Sequence, residues 1–127
     1  MGEHDITPLR HAFELARAAN DMSGVLPVFL RTEPIWVAAA REGDRLDLFI
    51  TPSPIPDRYC VTVAERREFL DRIPAHLVHQ TDVRTLLARM IGRWDVVILY
   101  AGGGDVLHAE YIPDLREMLG DGTPAGR

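Results

Sequence analysis

A nearly uninterrupted apolar run, followed at once by three glycines, is the feature that most limits how this chain folds. The run extends from Trp94 to Ala101, and Asp95 is its one polar residue. A run of this length, rich in Val, Ile and Tyr, predicts a strand covered on both faces, and the glycines predict its end. The segment from Arg93 to Leu119 is therefore expected to form the structural centre of a sheet.

Composition indicates a globular protein of one domain. Of the 127 residues, 46% are hydrophobic and 26% are charged, which is typical of soluble domains that bury their own core. We expect a single domain over residues 1–119 and a flexible tail over residues 120–127. The sequence predicts no secretion signal and no membrane span. The single cysteine, Cys60, excludes an internal disulfide and favours a reducing, cytoplasmic location.

The charge balance argues against nucleic acid as a partner. The net charge is −5, because 19 Asp and Glu outnumber 14 Lys and Arg. Binding to phosphates requires a concentrated basic face, which this composition does not predict.

Apolar residues at helical spacing predict helices over four segments: Leu9–Met22, Glu65–Ile73, Val83–Ile91 and Pro113–Leu119. Thr7 is the expected N-cap of the first helix. Thr62 and Glu65 have the spacing of a capping box, which predicts the start of the second helix. Thr81 or Asp82 is expected to cap the third helix, and Gly92 to end it.

Further strand signals are found before the central segment and within it. Two apolar stretches, Ile35–Ala40 and Arg45–Ile50, flank a polar turn with a glycine and predict a hairpin. A return strand is expected over Val106–Ile112, and Pro27–Leu30 fits either a strand or a turn of helix. The predicted fold class is α+β (α/β), with three to four helices and a mixed sheet of about four to five strands.

The glycine cluster is the first candidate for a binding site. Gly102, Gly103 and Gly104 precede Asp105, and glycines after a strand allow backbone amides to approach a phosphate. The dinucleotide fingerprint needs a further glycine where Leu107 stands, and the lysine of the phosphate-binding loop is absent. The pattern favours a tight hairpin turn over an anion cradle, and the loop stays a candidate for binding.

The histidines and the cysteine are weighed as metal ligands or catalytic groups. His76, His79 and Asp82 are spaced three apart, but Pro74 and the expected cap place both histidines between helices. We therefore predict no metal site and no cofactor. Cys60 would need a neighbouring histidine to act as a nucleophile, and a free cysteine is more often an inert apolar residue.

Two aromatic residues are candidates for a binding surface. Tyr111 and Trp36 belong to segments expected at the outside of the sheet, and exposed aromatic side chains often anchor partners. His108, close to the glycine turn, is the candidate acid or base if the loop binds a small molecule.

The order of elements resembles the SseB-like family, named for enhanced serine sensitivity and including proteins linked to type VII secretion. The similarity is carried by FLRTEPIWVAAA and GDRLDLFITP, and then by TDVRTLLARMIGRWDVVILYAGGG followed by EYIPDLREML. The Asn-Pro that usually follows the buried strand in that family is replaced here by Tyr100-Ala101-Gly102. The resemblance implies an α/β domain that serves as an accessory or interaction protein, and it implies no catalytic residues.

These observations predict a non-enzymatic, cytoplasmic domain that binds another protein, through a sheet edge or the face around the glycine turn. No nucleic acid or membrane partner is expected, and a homodimer through sheet edges stays open. One alternative is a small-molecule-binding protein or enzyme that uses residues 102–105 and His108. Another is an immunity protein or antitoxin, which would share these features and carry an acidic face.

Overall fold

The structure is a computed structural model that describes residues 6–90 and 92–120. These residues form four α-helices and one mixed sheet of seven strands, which confirms the α+β class. The helices are α1 Pro8–Ala19, α2 Val25–Leu30, α3 Val83–Arg89 and α4 Ile112–Gly120. The strands are β1 Ile35–Glu42, β2 Arg45–Leu48, β3 Thr51–Pro52, β4 Tyr59–Ala64, β5 Val78–Thr81, β6 Asp95–Tyr100 and β7 Gly103–Leu107.

The sheet has the order β2-β1-β4-β6-β7, while β3 pairs with β4 and β5 pairs with β1. The β4–β6 pair is parallel, and the other pairs are antiparallel. The sheet has more strands than the four to five expected. Strand β3 was not predicted because it has only two residues. Strand β5 was not predicted because two of its four residues, His79 and Gln80, are polar.

Strand β6 lies between two neighbours and between two layers, as its apolar run predicted. Val96, Ile98 and Tyr100 face the main core, which the four helices help to form. On the opposite face, Leu99 packs on a smaller cluster around Ala64. Two short 3-10 segments, Arg67–Leu70 and Ala75–Leu77, contribute to covering that second face.

The N-terminal helix begins as predicted and ends earlier than expected. Thr7 caps α1 and accepts a hydrogen bond from the backbone N–H of Arg10 at 3.4 Å. The helix ends before Asn20, which adopts a left-handed conformation with φ of 54°. The ambiguous segment Pro27–Leu30 is helical and belongs to α2.

The predicted helix over Glu65–Ile73 is wrong. Strand β4 continues through Ala64, so Thr62 lies within a strand and cannot form a capping box. Glu65 instead accepts a hydrogen bond from the backbone N–H of Leu9 at 3.0 Å, and a second from the Thr7 hydroxyl. A carboxylate can satisfy the free N–H groups of any helix start that the fold brings near, and here that helix is α1.

The third helix confirms its N-cap but not its expected end. Asp82 accepts a hydrogen bond from the backbone N–H of Thr85 at 2.7 Å. Helix α3 ends at Arg89 with Met90 as its C-cap, so Gly92 does not have that role. A side chain at Gly92 would place its Cβ 2.5 Å from the Trp94 ring, and this packing explains the glycine.

The return strand is shifted toward the glycines. Strand β7 occupies Gly103–Leu107 rather than Val106–Ile112, and a 3-10 turn over Ala109–Tyr111 leads into α4. Gly120 ends α4, whereas Ile91 of the predicted third helix and residues 121–127 of the predicted tail lie outside the described residues. Within the described ranges, no helix is long and apolar enough to cross a membrane.

Removing the Glu65 carboxylate should weaken the start of α1. We expect Glu65→Ala to lower the free energy of unfolding by about 1–2 kcal/mol, because the N–H of Leu9 loses its acceptor. Urea unfolding followed by circular dichroism measures this change. Glu14→Ala is the control, since its side chain makes only an exposed pair with Arg10, and it should change stability by about 0.5 kcal/mol or less. Equal effects of the two substitutions would contradict the role of Glu65.

Candidate binding groove

A depression in the described surface lies beyond the carboxyl ends of the parallel strands β4 and β6. It has a volume of about 770 Å³ and is open on one side. After β4 the chain turns toward β5, which pairs with β1, whereas after β6 it turns to β7 on the other side. Connections that diverge in this way leave a crevice at the strand ends, where open α/β sheets usually bind ligands. We call this crevice the switch groove.

One wall of the switch groove is formed by residues 66–73, and the other by residues 99–103. Phe69, Ile73 and Leu99 line the groove with apolar, partly buried side chains that also pack on the smaller cluster. Four charged residues surround this apolar surface, two of each sign: Arg66, Arg72, Glu68 and Asp71. The groove thus combines an apolar surface with balanced charge, a lining that suits a ligand carrying apolar side chains and charges of both signs.

Each of the three glycines has a different environment. Gly102 adopts φ of +82°, a conformation that disfavours other residues, in the turn between β6 and β7. A Cβ on Gly104 would lie 2.7 Å from the carbonyl oxygen of Ile98, so that glycine is required by close packing. Gly103 has no positive φ and open space around its Cα, although it lines the groove. The expected turn is therefore confirmed, but it contains only Ala101 and Gly102, and the other two glycines belong to β7.

Asp105 does not line the groove. It accepts a hydrogen bond from the Tyr100 hydroxyl at 2.9 Å and pairs with Arg17 of α1. Burial and the hydrogen bond to Asp105 raise the pKa of Tyr100 above its ordinary value, so the phenol stays protonated at neutral pH. These contacts fasten β7 to α1.

The other three candidates do not line the groove, and Trp36 lies in a different element from His108 and Tyr111. His108 is exposed at the far end of β7, between that strand and the following 3-10 turn. Tyr111 is partly buried against the main core. Trp36 packs on the smaller cluster, with the Arg67 guanidinium 5.9 Å from the centre of its ring. Only Gly102 and Gly103, of the predicted binding residues, line the groove.

The histidines and the cysteine do not form a common site. His76 lies in an exposed 3-10 turn, His79 in β5, and Asp82 is the N-cap of α3. Cys60 is buried in β4, with its sulfur 3.6 Å from the carbonyl oxygen of Pro52. Among the residues that the structure describes, no three His, Cys, Asp or Glu side chains lie close enough to hold a metal ion.

A charged cluster at the opposite end of β6 is built around Asp95, whose exposure is 0%. Its carboxylate accepts hydrogen bonds from the Arg58 guanidinium at 2.8 Å, from the Ser53 hydroxyl at 2.7 Å and from the Ala109 N–H at 2.8 Å. Arg58 also donates two hydrogen bonds to Glu110, at 2.6 and 3.0 Å. The cluster joins the proline-containing loop, the start of β4 and the turn before α4.

Both carboxylates of this cluster have lowered pKa values. Burial alone would raise the pKa of Asp95, but hydrogen bonds from Arg58, Ser53 and the Ala109 amide outweigh it and lower the value. Hydrogen bonding by Arg58 lowers the pKa of Glu110 from 4.5 to about 2. Since each hydrogen bond favours the ionised form, the cluster is charged throughout the neutral range.

Sequence reasoning missed two features of this region. The groove wall at residues 66–73 was not predicted, because the capping-box spacing of Thr62 and Glu65 indicated a helix there. The Asp95 cluster did have a signal, because a carboxylate inside an apolar strand needs a buried partner. Which residue supplies that partner depends on the fold, since Arg58 lies 37 positions away.

No protein-family model, characterised protein or solved structure matches this chain significantly. The resemblance to the SseB-like family therefore stays a prediction.

The two glycines at the start of β7 should differ in their response to substitution. We expect Gly104→Ala to lower the free energy of unfolding by about 1–3 kcal/mol, because its Cβ would overlap the Ile98 carbonyl. Gly103→Ala is the matched control and should leave stability unchanged or raise it by up to about 1 kcal/mol. Urea unfolding of both variants tests this, and a larger loss for Gly103→Ala would show that the groove wall is packed differently.

Acid should destabilise the protein through the Asp95 cluster. Both folded pKa values lie below the unfolded ones, so the stabilisation is fully present above about pH 4.5 and is lost as pH falls toward about 2. Urea unfolding at several pH values should show this loss in the wild type.

Asp95→Asn should lower stability at neutral pH by about 3 kcal/mol, because Arg58 loses its buried partner, and should flatten the acid dependence. Glu117→Gln, an exposed substitution, is the control and should keep the wild-type profile. An acid profile that Asp95→Asn leaves unaltered would assign the loss to other carboxylates.

Proposed function

We propose that this protein is a cytoplasmic, non-enzymatic interaction domain that binds a segment of another protein in the switch groove. The observation that carries the proposal is the crevice at the diverging ends of β4 and β6, one wall of which contains the glycine turn. Its partner is a protein rather than nucleic acid or a membrane.

The chemistry of the lining supports a peptide ligand. Phe69, Ile73 and Leu99 offer an apolar surface on which a side chain can be desolvated. Arg66 and Arg72 are balanced by Glu68 and Asp71, whereas a phosphate-rich ligand would require an excess of positive charge. Polypeptides supply apolar side chains and charges of both signs within a few residues.

The distribution of titratable groups favours binding over chemistry in the groove. Asp95 and Glu110, two carboxylates with lowered pKa values, lie at the other end of β6 and already share Arg58. Tyr100 belongs to the groove lining, but its side chain faces the main core and its hydroxyl donates a hydrogen bond to Asp105. The side chains that remain at the groove have the character of a binding surface.

A second candidate is a small-molecule ligand in the same groove. The volume of about 770 Å³ lies within the range of about 300–1,000 Å³ that is usual for ligand pockets. His108 does not line this groove, so a role as acid or base would require a ligand that extends along β7.

The proposal is tested by selecting binders from a display library of random peptides against the immobilised full chain. Fluorescence anisotropy then gives the Kd of a selected peptide for the wild type and for two variants, Arg72→Glu and Gly103→Val. Reversing an exposed charge and adding a side chain at the groove wall should each raise Kd by about tenfold or more.

Arg84→Glu is the matched charge control, because Arg84 is an exposed arginine of α3 away from the groove. Its Kd should stay within about twofold of the wild-type value. Failure to select any peptide, or equal binding by all variants, would refute the proposal. Groove-specific binding of compounds from a fragment library in place of peptides would favour the small-molecule candidate.

A further inference from the structure

The outer edge of β7 presents free backbone groups. Strand β7 is the last strand in the sheet order and pairs only with β6 in the described part of the chain. The turn closes on the pair Tyr100 and Gly103, and hydrogen-bonded pairs alternate with non-bonded pairs along an antiparallel ladder. The N–H and C=O groups of Gly104 and Val106 therefore point away from β6, and no described residue bonds to them.

Two other edge strands of the sheet, β2 and β3, carry features that hinder pairing with a further strand. In β2, Arg45 and Asp47 form an exposed ion pair, and β3 contains the exposed Pro52. In β7 the only charged residue is Asp105, whose side chain is 15% exposed and pairs with Arg17. The free edge of β7 thus lacks the protection that these two strands have.

The unprotected edge continues into the switch groove. Gly103, the first residue of β7, lines the groove, and Gly104 lies opposite Leu99 in the ladder. Because Gly104 has no side chain, the backbone of an added strand can approach closely while its side chains reach past the glycine. An apolar side chain of that strand next to Leu99 would also lie near Phe69.

We propose that the partner segment binds by adding a strand to β7, with its backbone paired to Gly104 and Val106 and an apolar side chain in the switch groove. This inference rests on the proposed function and specifies how the partner is held. The segment is an extended peptide with apolar residues at alternate positions and free N–H groups on the side that faces β7.

A second copy of this chain fits the edge less well than a foreign segment. A two-fold pairing centred on the middle of β7 places Asp105 opposite the Asp105 of the other copy. Like charges directly opposite each other destabilise a strand pair. Self-association is therefore treated as an outcome that would overturn the proposal.

Amide hydrogen exchange followed by NMR tests strand addition directly. The probe is a peptide selected from the random library, at saturating concentration with the full chain. The amides of Gly104 and Val106 should exchange at least about tenfold more slowly in the complex than in the free protein. The amide of Asp105 is the internal control, because it bonds within the sheet and should be protected in both states.

Three other outcomes would contradict strand addition by a partner peptide. If the peptide binds and shifts the resonances of Arg72 and Gly103, while Gly104 and Val106 exchange as before, strand addition is wrong and the proposed function stands. If no peptide is selected, both proposals fail. If the two amides become protected at high protein concentration without peptide, and a dimer sediments, the occupant is a second copy and the inference is overturned.

Changes to the peptide give a test that cannot disturb the protein fold. N-methylation of the peptide residues whose N–H faces β7 should weaken binding by about tenfold or more, whereas methylation of alternate residues should change it by about threefold or less. In the protein, Val106→Pro removes the N–H of residue 106, so it should abolish both the protection of the Gly104 amide and the binding of the peptide. Val106→Thr keeps this N–H and should bind the peptide as the wild type does. Equal effects of the two methylation patterns would overturn strand addition.

Discussion

Strands β4 and β6 are buried and run parallel, and a parallel pair cannot be joined by a tight turn. The chain between them crosses the sheet, adds β5 beside β1 and returns through α3. The switch groove depends on this crossing, because it carries the exit from β4 away from the exit of β6. The switch groove is the space that this divergence leaves.

The two ends of β6 have opposite properties. At its start, Asp95 is buried and held by Arg58, Ser53 and the backbone of Ala109, which anchors three segments to one another. A buried carboxylate is tolerated because these groups replace the water it loses. At its other end, the strand leads into a turn and a glycine-rich edge. The charged cluster and the glycine-rich edge thus lie at opposite ends of one strand.

This arrangement fits binding by shape and backbone contact. The switch groove supplies apolar contact and balanced charge, and the free edge of β7 supplies donors and acceptors in a fixed register. In the proposed complex, backbone pairing gives affinity with little demand on sequence, and the groove selects among side chains. This division of tasks is how the proposed site, which has no nucleotide fingerprint, would recognise a partner.

The amino-acid sequence alone determined the features that depend on short-range chemistry. The apolar run predicted β6, the polar turn with Gly43 predicted the β1–β2 hairpin, and Thr7 and Asp82 predicted helix starts. Gly102 and Gly103 were also identified as candidate binding residues from the sequence. The predictions of the strand, the hairpin and the helix starts are confirmed because backbone conformation and capping depend on residues a few positions apart.

Only the tertiary structure decided where long-range partners meet. Glu65 has the spacing of a local cap, yet it caps α1 from 56 residues away. Gly92 follows a helix, yet the Trp94 ring rather than the helix end requires it. The groove wall at residues 66–73 and the free edge of β7 likewise follow from strand order. A sequence motif states what a side chain can bond to, but packing decides which acceptor or donor lies within reach, and that choice placed the candidate site.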